Sequence, residues 1–175
     1  GNQGQQSSCV GWALAYGLKS YQEARERNVK PTLDTQIYSP SFIYNQIKLG
    51  SCSGGSNIVQ ALNLLKSGGV ANISDFPYNP LDCYTIPNAL TKQKARNNAI
   101  AEWRRVNFLD DIEVKSQLNS GFPVVIAMRV DQGFQQLGFN QIYRGPKGNE
   151  LGGHAMVVTG YDDSKQAYKV LNSWG

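Results

Sequence analysis

The chain has 175 residues, 41% of them hydrophobic, which is enough apolar material for a sizeable core and argues against disorder. Its formal charge of +4 is mild, and the basic residues are scattered apart from short groups such as Lys92–Arg96 and Arg104-Arg105, so they read as a solvated face and not as a nucleic-acid patch. No run reaches the roughly 18 apolar residues of a membrane span, and no signal peptide opens the sequence.

Residues 9 to about 27 give the clearest helical pattern. Val10, Ala13, Leu14, Gly17, Leu18 and Tyr21 recur at helical spacing and the far end turns charged at Glu23–Arg27, which predicts an amphipathic helix with Cys9 on its first turn. Ser7 or Ser8 is expected as its N-cap. A short helix should follow Ser39-Pro40, carrying Phe42, Ile43 and Ile47. A third should run from about Asn57 to Lys66, with Ile58, Ala61, Leu62 and Leu65 inward and Gly68-Gly69 as its stop. Residues 79–90 are loop-like, and Thr91 to about Trp103 is read as a helix. Beyond that the pattern changes. Arg105–Leu109 is predicted as a strand, Asp111–Asn119 as a short helix closed by Gly121, and Val124–Val130 as a buried strand. Ala155–Tyr161 and Ala167–Asn172 bracket Asp162-Asp163-Ser164, the pattern of a hairpin. Helices up to about 104 and strands from 105 to 175 imply an α+β fold with two lobes in one domain. Gly1 stands close to Cys9 and Gly175 directly follows a strand-like run, so both ends are expected to be truncated.

The chemistry-bearing residues follow from this layout. A thiol attacks carbonyls as thiolate, and the free amides at a helix start favour negative charge on Cys9. His154 is the only histidine, expected at the start of a strand after Gly152-Gly153. Antiparallel pairing of the last two strands would set Asn172 beside it, where an amide oxygen fixes the tautomer and Trp174 covers the bond. Gln3, in a glycine-flanked segment, can loop back as an oxyanion donor together with the Cys9 amide. Each residue alone has a plainer reading: a core cysteine, a structural histidine, turn chemistry at Asn172. Their joint order favours a catalytic set. Of the remaining thiols, Cys52 and Cys83 are compatible with one disulfide or with two small buried hydrophobes.

Asn2-Gln3-Gly4 with Ser8-Cys9, then Gly153-His154-Ala155, then Leu171-Asn172-Ser173-Trp174-Gly175 resemble the papain and cathepsin family of cysteine peptidases. The separations fall in or near the roughly 130–150 residues typical of that family. Cys52-Ser53-Gly54-Gly55, the stretch from Gly69 to Phe76-Pro77-Tyr78, Gly121-Phe122-Pro123-Val124 and Ile142–Gly145 resemble further segments. The resemblance implies a papain-like two-lobed fold with the site in the cleft between lobes. It implies Cys9 as nucleophile, His154 as base then acid, Asn172 as orienter, Gln3 as oxyanion donor and Trp174 as shield. Gly54 and Gly55 would hydrogen bond an extended substrate, an apolar pocket would include Ala127 and Gly152, and Gly153 would also meet the substrate. Departures mark a divergent, bacterial-type member: Gln6 stands where the family usually has a cysteine, Val10-Gly11 precede Trp12, and Gly153 precedes the histidine. With Gln6 there, Cys52–Cys83 is the only non-catalytic bridge left.

The expected activity is peptide-bond hydrolysis by a Cys–His–Asn thiol peptidase through a thioester, with a peptide or protein as partner, no nucleic acid and a monomeric chain. No metal or organic cofactor is expected, since one histidine and no Cys-x-x-Cys offer few ligands. A disulfide would suit an extracellular, periplasmic or cell-surface location. Two rivals remain: transglutaminase-like acyl transfer, which commonly uses Asp where Asn172 stands, and a peptide-binding domain that grasps without cutting.

Overall fold

The segment expected as one amphipathic helix forms a continuous helical rod in the computed structural model, which describes residues 1–175, but its middle is wound more loosely. Helix α1 (Cys9–Gly11) passes into a π-helical stretch (Trp12–Lys19) and then into α2 (Ser20–Glu26). The Ser20 amide bonds back five residues to the Ala15 carbonyl, and its hydroxyl reaches the same oxygen at 3.2 Å. The reason for the departure lies in burial. Trp12, Ala15 and Lys19 are buried along with Val10, Ala13, Leu14 and Leu18 of the expected stripe, so the rod faces neighbours on nearly every side and no simple amphipathic period survives. Gly17 lets β-structure approach, since a Cβ there would stand 2.8 Å from Val157 Cγ2. Lys19 tolerates burial because Glu23 lies 2.7 Å away and the Tyr38 ring lies beneath its ammonium.

Local signals set the next helices. Ser39 caps α3 (Pro40–Ile47) by accepting from the Phe42 amide, with Pro40 in the first turn where no amide partner is needed. Asn57 caps α4 (Ile58–Gly68) through the Gln60 amide, and Gly69 ends it at φ +68°. That conformation is paired with a close approach: a Cβ on Gly69 would lie 1.9 Å from the Ala95 carbonyl oxygen. The helix expected from 91 to 103 is shorter. Helix α5 spans Ala89–Ala95 and tightens into a 3₁₀ turn at Arg96–Asn98. Asn98 ends it because its side chain is bound elsewhere, donating to the Val70 carbonyl and accepting from Tyr38.

Helix α6 (Asp111–Asn119) precedes β1 (Val124–Asp131), the single-turn α7 (Gln132–Gln135), β2 (Glu150–Asp162) and β3 (Ala167–Leu171). The strands form one antiparallel sheet in the order β1-β2-β3. The strand expected at 105–109 does not form. The sheet ends at β1 and β3, and the segment's apolar side chains are used for packing instead: Val106 against Val114, Val124 and Val158, Phe108 against Tyr168. His154 lies not at a strand start but five residues into β2, opposite Met128. The two glycines before it stay in the ladder, Gly152 opposite Val130 at φ +112°, so they do not break the strand.

The main core joins Leu14 and Leu18 of the rod, Phe42 and Ile43 of α3, Ala61 and Leu65 of α4, and Ala155 and Val157 of β2. The opposite face of the sheet is covered by α6 through Val114 and Val158. Cys52 and Cys83 are bonded to each other, with Cα atoms 5.6 Å apart. The bridge ties the loop before α4 to the loop before α5 across 31 residues of sequence. A loop of that size constrains the unfolded chain by about 3–4 kcal/mol in the chain-entropy account. Replacing both cysteines by serine should therefore lower unfolding stability by roughly that amount. Urea unfolding of wild type with and without reductant checks it, and equal midpoints in all samples would contradict it.

Candidate active site

Cys9 is the first residue of the rod and is half-buried. Ser8 occupies the N-cap position without capping. Its hydroxyl lies 2.8 Å from that of Tyr78, which in turn donates to the Gln3 carbonyl at 2.7 Å, so Ser8 is the donor of the pair. Ser7 is also engaged elsewhere, donating to the Ser53 carbonyl. The expected serine cap is thus replaced by ties to the loops at 53 and 78, which leaves the first-turn amides to the cysteine. Burial pushes the Cys9 thiol above its ordinary pKa, against the pull of the main-chain N–H groups of Ala155, Val10 and Cys9 itself. The contact with Ala155 sets the sulfur beside the residue that directly follows His154.

His154 is 5% exposed. Its Nε2 lies 2.7 Å from Asn172 Oδ1, and the Ser173 amide donates to the same oxygen at 2.8 Å. Two donors on one atom identify it as the amide oxygen, since the nitrogen end could not accept them. Nε2 therefore carries the proton, and Nδ1 keeps the lone pair in the neutral ring. Trp174 stacks over the imidazole, with centroids 4.4 Å apart and planes 24° from parallel. Burial lowers the His154 pKa, and the Asn172 bond opposes that. Each group taken singly is thus held neutral, the thiol by a raised pKa and the imidazole by a lowered one. Proton transfer between them creates two charges at once, whose attraction in a low-dielectric site offsets the burial cost of both.

Gln3 is buried and fixed at both ends of its amide: Nε2 donates to the Gln6 carbonyl at 2.9 Å and Oε1 accepts from the Ser173 hydroxyl at 2.7 Å. Its main-chain amide also bonds to the Ser173 carbonyl. The N-terminal segment is in this way clamped onto the segment carrying Asn172 and Trp174, and one Gln3 side-chain N–H is left unclaimed. Gln6, in the position that lacks the family's usual cysteine, is buried and donates to the Asn79 carbonyl.

The two glycines expected to meet substrate differ. Gly54 spends its N–H on the Ser51 carbonyl and its own carbonyl on the Tyr44 hydroxyl, and a Cβ there would overlap the Leu49 oxygen. It builds the loop and has no N–H to offer a ligand, contrary to the sequence expectation. Gly55 accepts from the Leu49 amide while its own N–H has no partner in the chain, and nothing lies within 4 Å of where its Cβ would stand. The Cβ positions of Gly152 and Gly153 are equally open. Ala127 pairs with Ala155 in the ladder and lines an apolar groove of about 670 Å³ with Ile58, Val59, Leu62, Ile126 and Met128. The sequence by itself assigns neither Ser173 nor Tyr78 a role here. Tyr78 had a signal, its place at the end of Phe76-Pro77-Tyr78, whereas nothing in Ser173 by itself pointed to Gln3.

A family model described as papain family cysteine protease matches residues 2–175. Over 99% of its length the chain is 26% identical to an uncharacterized peptidase C1-like protein of Acanthamoeba polyphaga mimivirus and covers 59% of that protein. It is 31% identical to gamete and mating-type specific protein A of Dictyostelium discoideum, of which it covers 37%. The chain thus spans less than two thirds of the length of both relatives. Among solved structures, xylellain, a cysteine protease from Xylella fastidiosa, superposes with a TM-score of 0.80 at 27% identity, over 99% of this chain and 70% of that one.

Proposed function

The chain belongs to the papain family of cysteine proteases, and on that premise we propose that it hydrolyses peptide bonds with Cys9 as nucleophile, His154 as base then acid, and Asn172 as orienter. The observation that carries this reading is the doubly bonded Asn172 oxygen, which leaves His154 Nδ1 as the proton acceptor in the segment whose Ala155 amide touches the thiol. The thiol proton passes to Nδ1 as sulfur attacks the peptide carbonyl carbon. Charge builds on the carbonyl oxygen, and the free Gln3 N–H and the Cys9 amide are the donors assigned to it. Collapse breaks the C–N bond, the imidazolium gives its proton to the leaving amine, and a thioester remains on Cys9. Water then attacks the thioester with His154 taking its proton, releasing the acid and returning the thiol.

An extended peptide would bond to the Gly55 N–H and lay an apolar side chain toward Ala127 and the open position of Gly152. The Cys52–Cys83 bridge suits an oxidising, extracellular, periplasmic or cell-surface setting. A peptide-binding domain without cleavage is the second reading, favoured by the separate shifts that hold thiol and imidazole neutral. Incubation with an epoxysuccinyl peptide at mildly acidic pH, followed by intact-mass measurement, tests the choice together with a panel of fluorogenic peptides. The expected result is one label on Cys9 and cleavage that is lost in Cys9→Ser. Peptide binding with neither label nor cleavage would overturn the peptidase reading.

A further inference from the structure

Asp131 has a buried carboxylate that the reaction above does not use. It is the last residue of β1 and is 6% exposed, yet no cationic side chain pairs with it. It is held by hydrogen bonds alone. One oxygen caps the turn that follows by accepting from the Phe134 amide at 2.8 Å. The other accepts from the Tyr143 hydroxyl at 2.5 Å and the Lys147 amide at 3.0 Å. The Tyr143 bond comes first among the influences that hold the acid below its ordinary pKa, burial working against it. One side chain therefore gathers three points of the long connection between β1 and β2, most of which has no regular structure.

What is gathered leads back to the imidazole. Tyr143 meets Phe134 edge-on at 5.3 Å and 83°, Phe134 meets Trp174 edge-on at 5.6 Å and 79°, and Trp174 stacks on His154. Aromatic pairs of this kind have defined orientations, so the pose of the indole depends on where Phe134 and Tyr143 stand. Both are fixed to the same carboxylate. We propose that Asp131 is a positioning residue for the catalytic imidazole, acting through Phe134, Tyr143 and Trp174 to keep the cover over the His154–Asn172 hydrogen bond closed. The inference rests on the reading of Cys9 and His154 as a catalytic pair. A loosened cover admits water to that bond, the ring loses its fixed angle, and Nδ1 no longer meets the thiol proton.

Asp131→Asn keeps the side-chain shape but turns one of the two acceptor oxygens into a donor, so that a donor faces either the Phe134 amide or the Tyr143 hydroxyl and Lys147 amide. Tyr143→Phe is the milder variant, removing one hydroxyl while keeping the ring. Circular dichroism establishes folding, and the readouts are kcat, KM and the rate of Cys9 alkylation by iodoacetamide at pH 6 and pH 9.5. We expect kcat to fall roughly tenfold or more with KM nearly unchanged, as small misplacements at a reacting centre do. The ratio of alkylation at pH 6 to that at pH 9.5 should fall about tenfold, one pKa unit toward an ordinary thiol. Tyr143→Phe should move both in the same direction by less, and it decides the matter alone should Asp131→Asn not fold. Folded variants with lower thermal stability but the wild-type kcat and alkylation ratio would overturn the inference and reduce Asp131 to a loop anchor. A wild type whose alkylation at pH 6 is no faster than that of His154→Ala would sink the catalytic pair itself, and this inference with it.

Discussion

Cys9→Ala is expected to lower kcat/KM for a fluorogenic peptide by roughly four to six orders of magnitude, His154→Ala by a similar factor, and the double variant by no more than either alone. The lack of additivity is the informative part. If the sulfur's nucleophilicity depends on the proton accepted by Nδ1, removing either member removes the same step. The remaining activity then comes only from binding and oxyanion contacts. The buried position of His154 raises the question of whether its loss disturbs packing, because Trp174 stacks on it. Cys9→Ala answers this, since a half-buried thiol at a helix start is a small deletion. Steady-state kinetics on purified variants, with circular dichroism to establish folding, checks the result. Losses that multiply in the double variant would show two independent contributions and contradict a shared step.

Gln3→Ala should reduce kcat by about 10²–10³ with a much smaller change in KM, the size of effect seen when one oxyanion donor is removed. Charge appears on the substrate oxygen only as the transition state is approached, so the missing donor is felt in kcat. The side chain also holds Ser173, and its removal could act by loosening that clamp. Ser173→Ala separates the two causes. It deletes the hydroxyl on the Gln3 oxygen while leaving the side-chain nitrogen and its Gln6 bond. A Ser173→Ala variant near wild-type rate beside a crippled Gln3→Ala supports the oxyanion role. Equal losses would assign Gln3 to the clamp.

The features legible in the sequence are those whose causes are local. Ser39-Pro40 and Asn57 marked helix starts because a cap needs only the next three residues. Gly69 marked a stop because its backbone conformation excludes most side chains. The apolar run at 124–130 and the turn after 161 placed the three strands of the sheet, and the α+β class followed from their segregation behind the helices. Asn172 beside His154 was readable from strand pairing alone. What was not legible depends on partners distant in sequence. The π-helical winding at Trp12–Lys19 reflects neighbours on all sides of the rod, which no single-face period encodes. The strand read at 105–109 had the right side chains and no sheet edge to join. The helix read to 103 stopped at Asn98 because Val70 and Tyr38, far upstream, take that side chain. Ser8 had the chemistry of a cap, and Tyr78 claimed its hydroxyl. Asp131 carries no sequence signal because its partners lie 3 to 16 residues on, in a stretch with no pattern.

These departures share a cause that also shapes the site. Gln3, Ser7, Ser8 and Gln6 all bond to segments remote from them, so the short stretch before Cys9 is held by the loops at 53 and 79 and by the end of the chain around Ser173. The sulfur thereby sits on a helix start and the imidazole on a strand, both rigid elements. The proposed nucleophile and base, held in this way, need little reorganisation to exchange a proton.

The most direct measurement is the pH dependence of Cys9 alkylation by iodoacetamide in wild type and in His154→Ala. An isolated, buried thiol with a raised pKa would react appreciably only above about pH 8.5. If sulfur and imidazole share the proton, wild-type reactivity should persist to pH 6 or below, and His154→Ala should fall back to the isolated-thiol curve. Coincident curves for the two proteins, both rising only at alkaline pH, would contradict the pairing on which the catalytic account stands.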